Sequence, residues 1–284
     1  MMRRFSVLVA AMLPLAACGN GGSTTPTPSP GAASSNASVT PGGTPTGAAT
    51  TTVRTYFIRN EKVAPVARTV SGTAVAKAAM EQLVAGPTAS EKAAGLTSSV
   101  PAGTKVLGIS ITNGTATVDL SATYTSGGGS LSMQSRVAQV VYTLTQFPTI
   151  TRVKFSIDGT PVTAIGGEGV VVDPPQTRAD WESLTPEILV ESPLPGEKVT
   201  SPFTATGTAN TFEATYQYRL RGPSGAILTK GSGMATSGTG TRGTFAQPIA
   251  YAAGSSGNGM LEMFALSAKD GAEISLYQVP IVLG

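Results

Sequence analysis

Residues 76–87 read Ala-Lys-Ala-Ala-Met-Glu-Gln-Leu-Val-Ala-Gly-Pro, and residues 105–120 read Lys-Val-Leu-Gly-Ile-Ser-Ile-Thr-Asn-Gly-Thr-Ala-Thr-Val-Asp-Leu. The apolar period changes between them, and that change decides the fold class. In the first, Ala76, Ala79, Met80, Leu83 and Val84 recur at helical spacing until Gly86-Pro87 stops the helix. In the second, Ala116, Val118 and Leu120 alternate with Thr115, Thr117 and Asp119, so Lys105–Ile111 and Thr115–Leu120 form a hairpin about Asn113-Gly114. Upstream, Val53–Ile58 and Val63–Val70 read as strands. Downstream, Val137, Val140, Val141 and Leu144 mark a helix over 131–146, with Ser130 as its N-cap and an end near Phe147-Pro148. A last strand pair, Arg152–Ile157 and Val162–Ile165, turns at Asp158-Gly159. The mixture predicts an α+β domain over 53–165.

Residues 186–284 show no helical period. Ala214, Tyr216, Tyr218 and Leu220 alternate with Thr215, Gln217, Arg219 and Arg221, as in a half-buried strand with both tyrosines facing the core. Turn residues recur at Pro195-Gly196, Pro223-Ser224-Gly225, Gly254–Gly259 and Asp270-Gly271, which predicts an all-β sandwich of roughly seven strands. No Cys…Trp…Cys spacing occurs, so the sandwich is not of the antibody type. Residues 166–185 are expected as an interdomain linker, because 173–187 combines three prolines with a local charge cluster. Trp181 lies within it and is expected to pack the linker onto a domain.

The N-terminus reads as an address. Arg3 and Arg4 precede an apolar run from Phe5 to Leu15, too short to span a bilayer, and small residues then lead to Cys18. Residues 19–52 read as a disordered Gly/Ser/Thr/Pro/Ala linker without charge, spanning ~30 Å on average as a flexible coil.

Composition removes several chemistries. The chain of 284 residues has no histidine and one cysteine, which excludes Ser-His-Asp and Cys-His catalysis, His-ligated metals and intramolecular disulfides. Charged residues make up only 12%, and the net charge is +3. Arg3 and Arg4 supply two of the 19 basic residues, so the remainder nearly balances the 16 acidic ones and no nucleic-acid-binding face is evident.

Three resemblances then appear. Leu15-Ala16-Ala17-Cys18-Gly19 resembles a bacterial lipobox, which implies lipid attachment at Cys18 and cleavage of the 1–18 signal segment just before that cysteine, which becomes the first residue. Residues 55–165 resemble the GerMN domain of sporulation and spore germination. The matching blocks are Pro65-Val66-Ala67-Arg68, Glu81-Gln82-Leu83-Val84-Ala85-Gly86-Pro87-Thr88, Val100-Pro101-Ala102-Gly103-Thr104, Thr117-Val118-Asp119-Leu120-Ser121, Tyr142-Thr143-Leu144-Thr145-Gln146-Phe147 and Asp158-Gly159. Residues 186–284 resemble the immunoglobulin-like domain of bacterial spore germination, through Ser192-Pro193-Leu194-Pro195-Gly196, Ser201–Ala209, Phe212-Glu213-Ala214 and Lys269-Asp270-Gly271.

These resemblances imply a non-catalytic, membrane-anchored lipoprotein on the extracytoplasmic face of a bacterial membrane. It would act as a protein-interaction or assembly module of the sporulation- or germination-associated type. The implied partners are the membrane through Cys18 and other envelope proteins or a second copy of the chain, with no cofactor. The alternative is a ligand-binding lipoprotein that recognises peptidoglycan or another envelope glycan, through the sandwich face or the groove between domains.

Residue by residue, other chemistries are weak. Glu213 is read as a strand-edge carboxylate and Asp270-Gly271 as a turn. Asp119 and Asp158 could form an acid–base pair, but nothing in the sequence brings them together. Gly127-Gly128-Gly129 lacks the spacing and following lysine of a phosphate loop and is read as a flexible approach to the next helix.

Overall fold

A computed structural model describes residues 49–167, 169–252 and 254–284. Cys18, the expected signal sequence and most of the expected tether lie outside the described residues.

Strands β1 (Thr50–Arg59) and β2 (Lys62–Ser71) form an antiparallel pair in unbroken register. Their two-residue turn is Asn60-Glu61, both with positive φ (49° and 61°), the hand that a two-residue hairpin requires. Helix α1 (Val75–Ala85) ends at Gly86, where φ is 81°. A five-residue helix α2 (Ala89–Ala93), which the sequence did not announce, starts on a Thr88–Glu91 capping box.

Strands β3 (Val106–Thr112) and β4 (Thr115–Leu120) form the expected hairpin. Helix α3 (Ser130–Leu144) then crosses to β5 (Arg152–Ile157), which pairs parallel to β4, as a crossover helix allows. Short β6 (Thr160–Val162) completes the sheet in the order β3-β4-β5-β6.

Three local expectations need correction. Gly129, not Ser130, is the N-cap of α3; Ser130 is already helical, and no side chain caps the helix. That helix ends at Leu144, short of Phe147-Pro148, where Thr145 still bonds back to Val141. The expected strand Val162–Ile165 is divided, because after β6 the chain turns away and β7 (Ala164–Ile165) pairs with β8 (Val170–Val171).

Helix α3 lies against the free edge of β1. Its apolar stripe, Val137, Val140, Val141 and Leu144, is fully buried. Polar residues on the helix and just past its end take the place of a neighbouring strand. Gln139 donates to the Tyr56 carbonyl (3.0 Å), Thr143 accepts from the Tyr56 amide (3.2 Å), and Gln146 exchanges two bonds with Arg54 (2.6 and 2.7 Å). This also explains Pro65 opposite Tyr56, since the Tyr56 amide points away from β2 and no ladder bond is lost.

The expected linker is folded. Gln176 exchanges two backbone bonds with Val153 on β5 (2.8 and 2.9 Å), and a 3-10 segment runs over Arg178–Leu184. Trp181 and Leu184 belong to the core of the α+β module, together with Tyr56, Met80, Val118, Val141 and Phe155.

The sandwich comprises β9 (Ile188–Ser192), β10 (Lys198–Val199), β11 (Phe203–Ala209), β12 (Thr215–Arg221), β13 (Ile227–Met234), β14 (Gly243–Ile249), β15 (Gly257–Leu266) and β16 (Glu273–Leu283). One sheet has the order β10-β16-β15-β12-β13 and the other β14-β11-β9. Tyr216 packs on Phe245 with ring centroids 5.0 Å apart, inside the sandwich core. Tyr216 and Tyr218 also lie over Gly233 and Gly231, their partners on β13. A Cβ at Gly233 would stand 2.4 Å from the Tyr216 hydroxyl, so the ring occupies the place of the missing side chain.

Candidate functional site

The best-developed cluster of functional groups lies where the modules meet. Thr177 and Asp180 form a capping box that fixes the start of the 3-10 segment. Arg178, the first residue inside it, is thereby directed onto β1 and α3. Its guanidinium stands 4.6 Å from the Tyr142 ring centroid and 5.5 Å from that of Tyr56. It donates to the Thr145 hydroxyl (2.8 Å) and to the carboxylate of Glu191 (2.8 Å). Glu191 is on β9, so the pair ties the connector and the α+β module to the sandwich. The Tyr56 hydroxyl donates to the same carboxylate oxygen, and Arg54 donates to the Glu191 carbonyl (3.4 Å).

Burial alone would raise the Glu191 pKa, but the Arg178 charge and the Tyr56 and Arg178 hydrogen bonds outweigh it and hold the carboxyl below its usual range. Burial raises the Tyr56 phenol well above its usual range, so it remains a donor at neutral pH.

A second tie begins one residue after Trp181 in the chain. Glu182 accepts a two-pronged contact from Arg242 (2.8 and 2.9 Å) and a bond from Asn210 (2.8 Å). Arg242 also donates to the Pro186 carbonyl (2.8 Å). Burial opposes ionisation of Glu182, yet the Arg242 and Asn210 bonds leave its pKa lowered. Trp181, 6% exposed, lies between Arg178 and Glu182 in the chain and packs into the core of the α+β module. Its indole N–H has no acceptor among the described residues, so packing is its contribution.

Next to the joint runs a groove of 420 Å³ between the β1–β2 turn and β16. Arg59, Lys62, Glu187, Ser275, Leu276 and Tyr277 are among its lining residues.

The residues singled out by sequence fall elsewhere. Cys18 lies outside the described residues. Glu213 is exposed in a tight turn with φ 53°, where its amide donates to the Thr239 hydroxyl (2.9 Å). Asp270 accepts from the Ala272 amide (3.2 Å) beside Gly271. The parallel pairing of β4 and β5 does bring Asp119 near Asp158, but Asp119 accepts from the Gly159 amide (2.9 Å) and Asp158 from the Ala122 amide (3.3 Å). Both serve turns. The Gly127–Gly129 run wraps Arg136, whose guanidinium donates to the carbonyls of Ser99, Tyr124, Ser126 and Gly127. Among the described residues no group of three or more Asp, Glu or Cys could hold a metal, and no helix is long and apolar enough to cross a membrane.

Sequence reasoning missed Arg178, Glu182, Glu191 and Arg242. A signal existed, because charges gather over 178–191 in a charge-poor chain, but their partners come from tertiary structure.

The fold and joint define a chain of two welded modules, an α+β domain followed by an immunoglobulin-like sandwich. Residues 45–163 match the family model "Germane: Sporulation and spore germination". Residues 187–272 match "Gmad2: Immunoglobulin-like domain of bacterial spore germination". The chain therefore carries a sporulation- and germination-type GerMN domain followed by the immunoglobulin-like domain of bacterial spore germination.

Among solved structures, it is similar to the tandem GerMN domains of the sporulation protein GerM from Bacillus subtilis. Identity is 21%, over 71% of this chain and 62% of that one, with a TM-score of 0.42. The first GerMN domain of GerM alone gives 28% identity over 45% of this chain and 98% of that one, with a TM-score of 0.38. A Clostridium perfringens protein described as a candidate lipoprotein gives 21% identity over 49% and 93%, with a TM-score of 0.36. No curated protein matches the chain.

Proposed function

We propose that the protein is a non-catalytic envelope lipoprotein, anchored through Cys18, whose two modules form one rigid assembly unit for other envelope proteins. The joint carries this reading. Arg178–Glu191 and Glu182–Arg242 tie both modules to one connector, which suits a composite docking surface more than two independently tethered binders. A non-catalytic role is supported by the absence of histidine and by the use of Asp119, Asp158, Glu182 and Glu191 in turns and ion pairs.

The test is a crosslinking pull-down of the full chain from its native membrane, beside a Cys18→Ala control. Specific envelope proteins captured only with the anchored form are the expected result. Recovery of cell-wall fragments without protein partners would replace this reading with glycan recognition.

A further inference from the structure

We propose that the groove between the β1–β2 turn and β16 binds a single carboxylate carried on an aliphatic body, as presented by the free C-terminus of a peptide. This goes beyond the assembly role and does not depend on the lipid anchor.

The inference begins with the arginines. Arg68, Arg178, Arg219, Arg221 and Arg242 each face a carboxylate, and Arg136 is surrounded by carbonyls. Among the described residues, the Nε–H groups of Arg54 and Arg59 are buried with no acceptor; of the two, only Arg59 lines this groove, and its side chain makes no ion pair. A guanidinium presents a planar fork of donors, and a carboxylate is the acceptor that matches it in two parallel bonds.

The surroundings narrow the ligand. Lys62, opposite Arg59 across the turn, also lines the groove, and its ammonium donates to the Ser183 carbonyl on the connector beside it. Glu187 lines the same groove and accepts from the Ser275 hydroxyl. Two cations against one anion leave one net positive charge, which suits a monoanion; a phosphate dianion would meet repulsion from Glu187. The remaining walls include Val63, Ala64, Pro186 and Leu276, with Leu276 48% exposed, and these suit a short aliphatic body. The volume of 420 Å³ falls in the range of small-ligand sites.

The test is calorimetric titration of the detergent-solubilised full chain with N-acetyl-Ala-Ala and, separately, its C-terminal amide. The free acid is expected to bind saturably and the amide about tenfold more weakly, as loss of a charge-assisted pair implies. Arg59→Gln should weaken the acid about tenfold, while Arg152→Gln, on an exposed residue of β5, should change nothing. If Arg59→Gln melts, Leu276→Asp decides the matter, because a carboxylate on the exposed rim should repel the acid and spare the fold. Equal binding of acid and amide, no binding of either, an unaffected folded variant at position 59 or 276, or inorganic phosphate binding more tightly than the acid would each overturn the proposal.

Discussion

The molecule builds one arrangement twice. At the joint, Arg178 stands 4.6 Å from the Tyr142 ring and pairs with Glu191; on the outer face of the five-stranded sheet, Arg219 stands 4.6 Å from the Phe264 ring and pairs with Glu262 and Glu273. The local geometry is nearly the same, and Glu262 is at least as buried as Glu191 (6% against 13% exposed), but Glu273 stands in different surroundings. Glu191 is 13% exposed, set deep between two modules, and also takes the Tyr56 hydroxyl. Glu273 is 46% exposed at the end of a strand. Water can replace the partner of Glu273 and cannot easily replace that of Glu191. The value of an ion pair is therefore set by what would fill the space if it were broken.

Trp181→Ala should separate the two sites most. It empties a core site beneath the connector that carries the joint's ion pairs, at about 4 kcal/mol by the usual cost of a large core truncation, read as a lower Tm and faster proteolysis near the connector. Unchanged proteolysis and scattering profiles would show that the joint does not depend on packing. Glu191→Ala should follow, at about 3 kcal/mol, because it leaves Arg178 between two tyrosines without its counter-charge.

Acid should act in the same direction and more gently. The Glu191 pKa is lowered in the folded chain, so its stabilisation is complete above the ordinary glutamate pKa and is lost as pH falls through the lowered value. A Tm-against-pH series should show an acid limb that Glu191→Gln flattens. An unchanged limb in that variant would remove Glu191 from the account. Glu273→Ala, the smallest change, should shift stability by under about 1 kcal/mol. A loss as large as that from Glu191→Ala would break the comparison.

The elements were legible where periodicity is local. Ala116, Val118 and Leu120 announced β4, and Gly86-Pro87 announced the end of α1, because in each case neighbouring residues carry the whole signal. The Asn60-Glu61 turn was less visible, since it adopts positive φ without glycine. The joint was hidden for a different reason. Glu182 and Arg242 are 60 residues apart, and Tyr56 and Glu191 are 135 apart, so no window of sequence contains either pair. Sequence could mark the connector's charges and Trp181 but could not assign their partners. The proximity of Asp119 and Asp158 was equally out of reach, because it depends on the parallel pairing of strands separated by a helix.

The polar stripe of α3 has a consequence for folding. Residues 50–71 precede residues 130–146 in the chain, so a hairpin formed before α3 docks would lack Gln139, Thr143 and Gln146. In that state the outward amides of Arg54 and Tyr56 lack the side chains that later satisfy them. An unpaired edge of this kind is a template for another strand. Docking of α3 therefore does for β1 what a further strand would do, and closes that edge to any other chain.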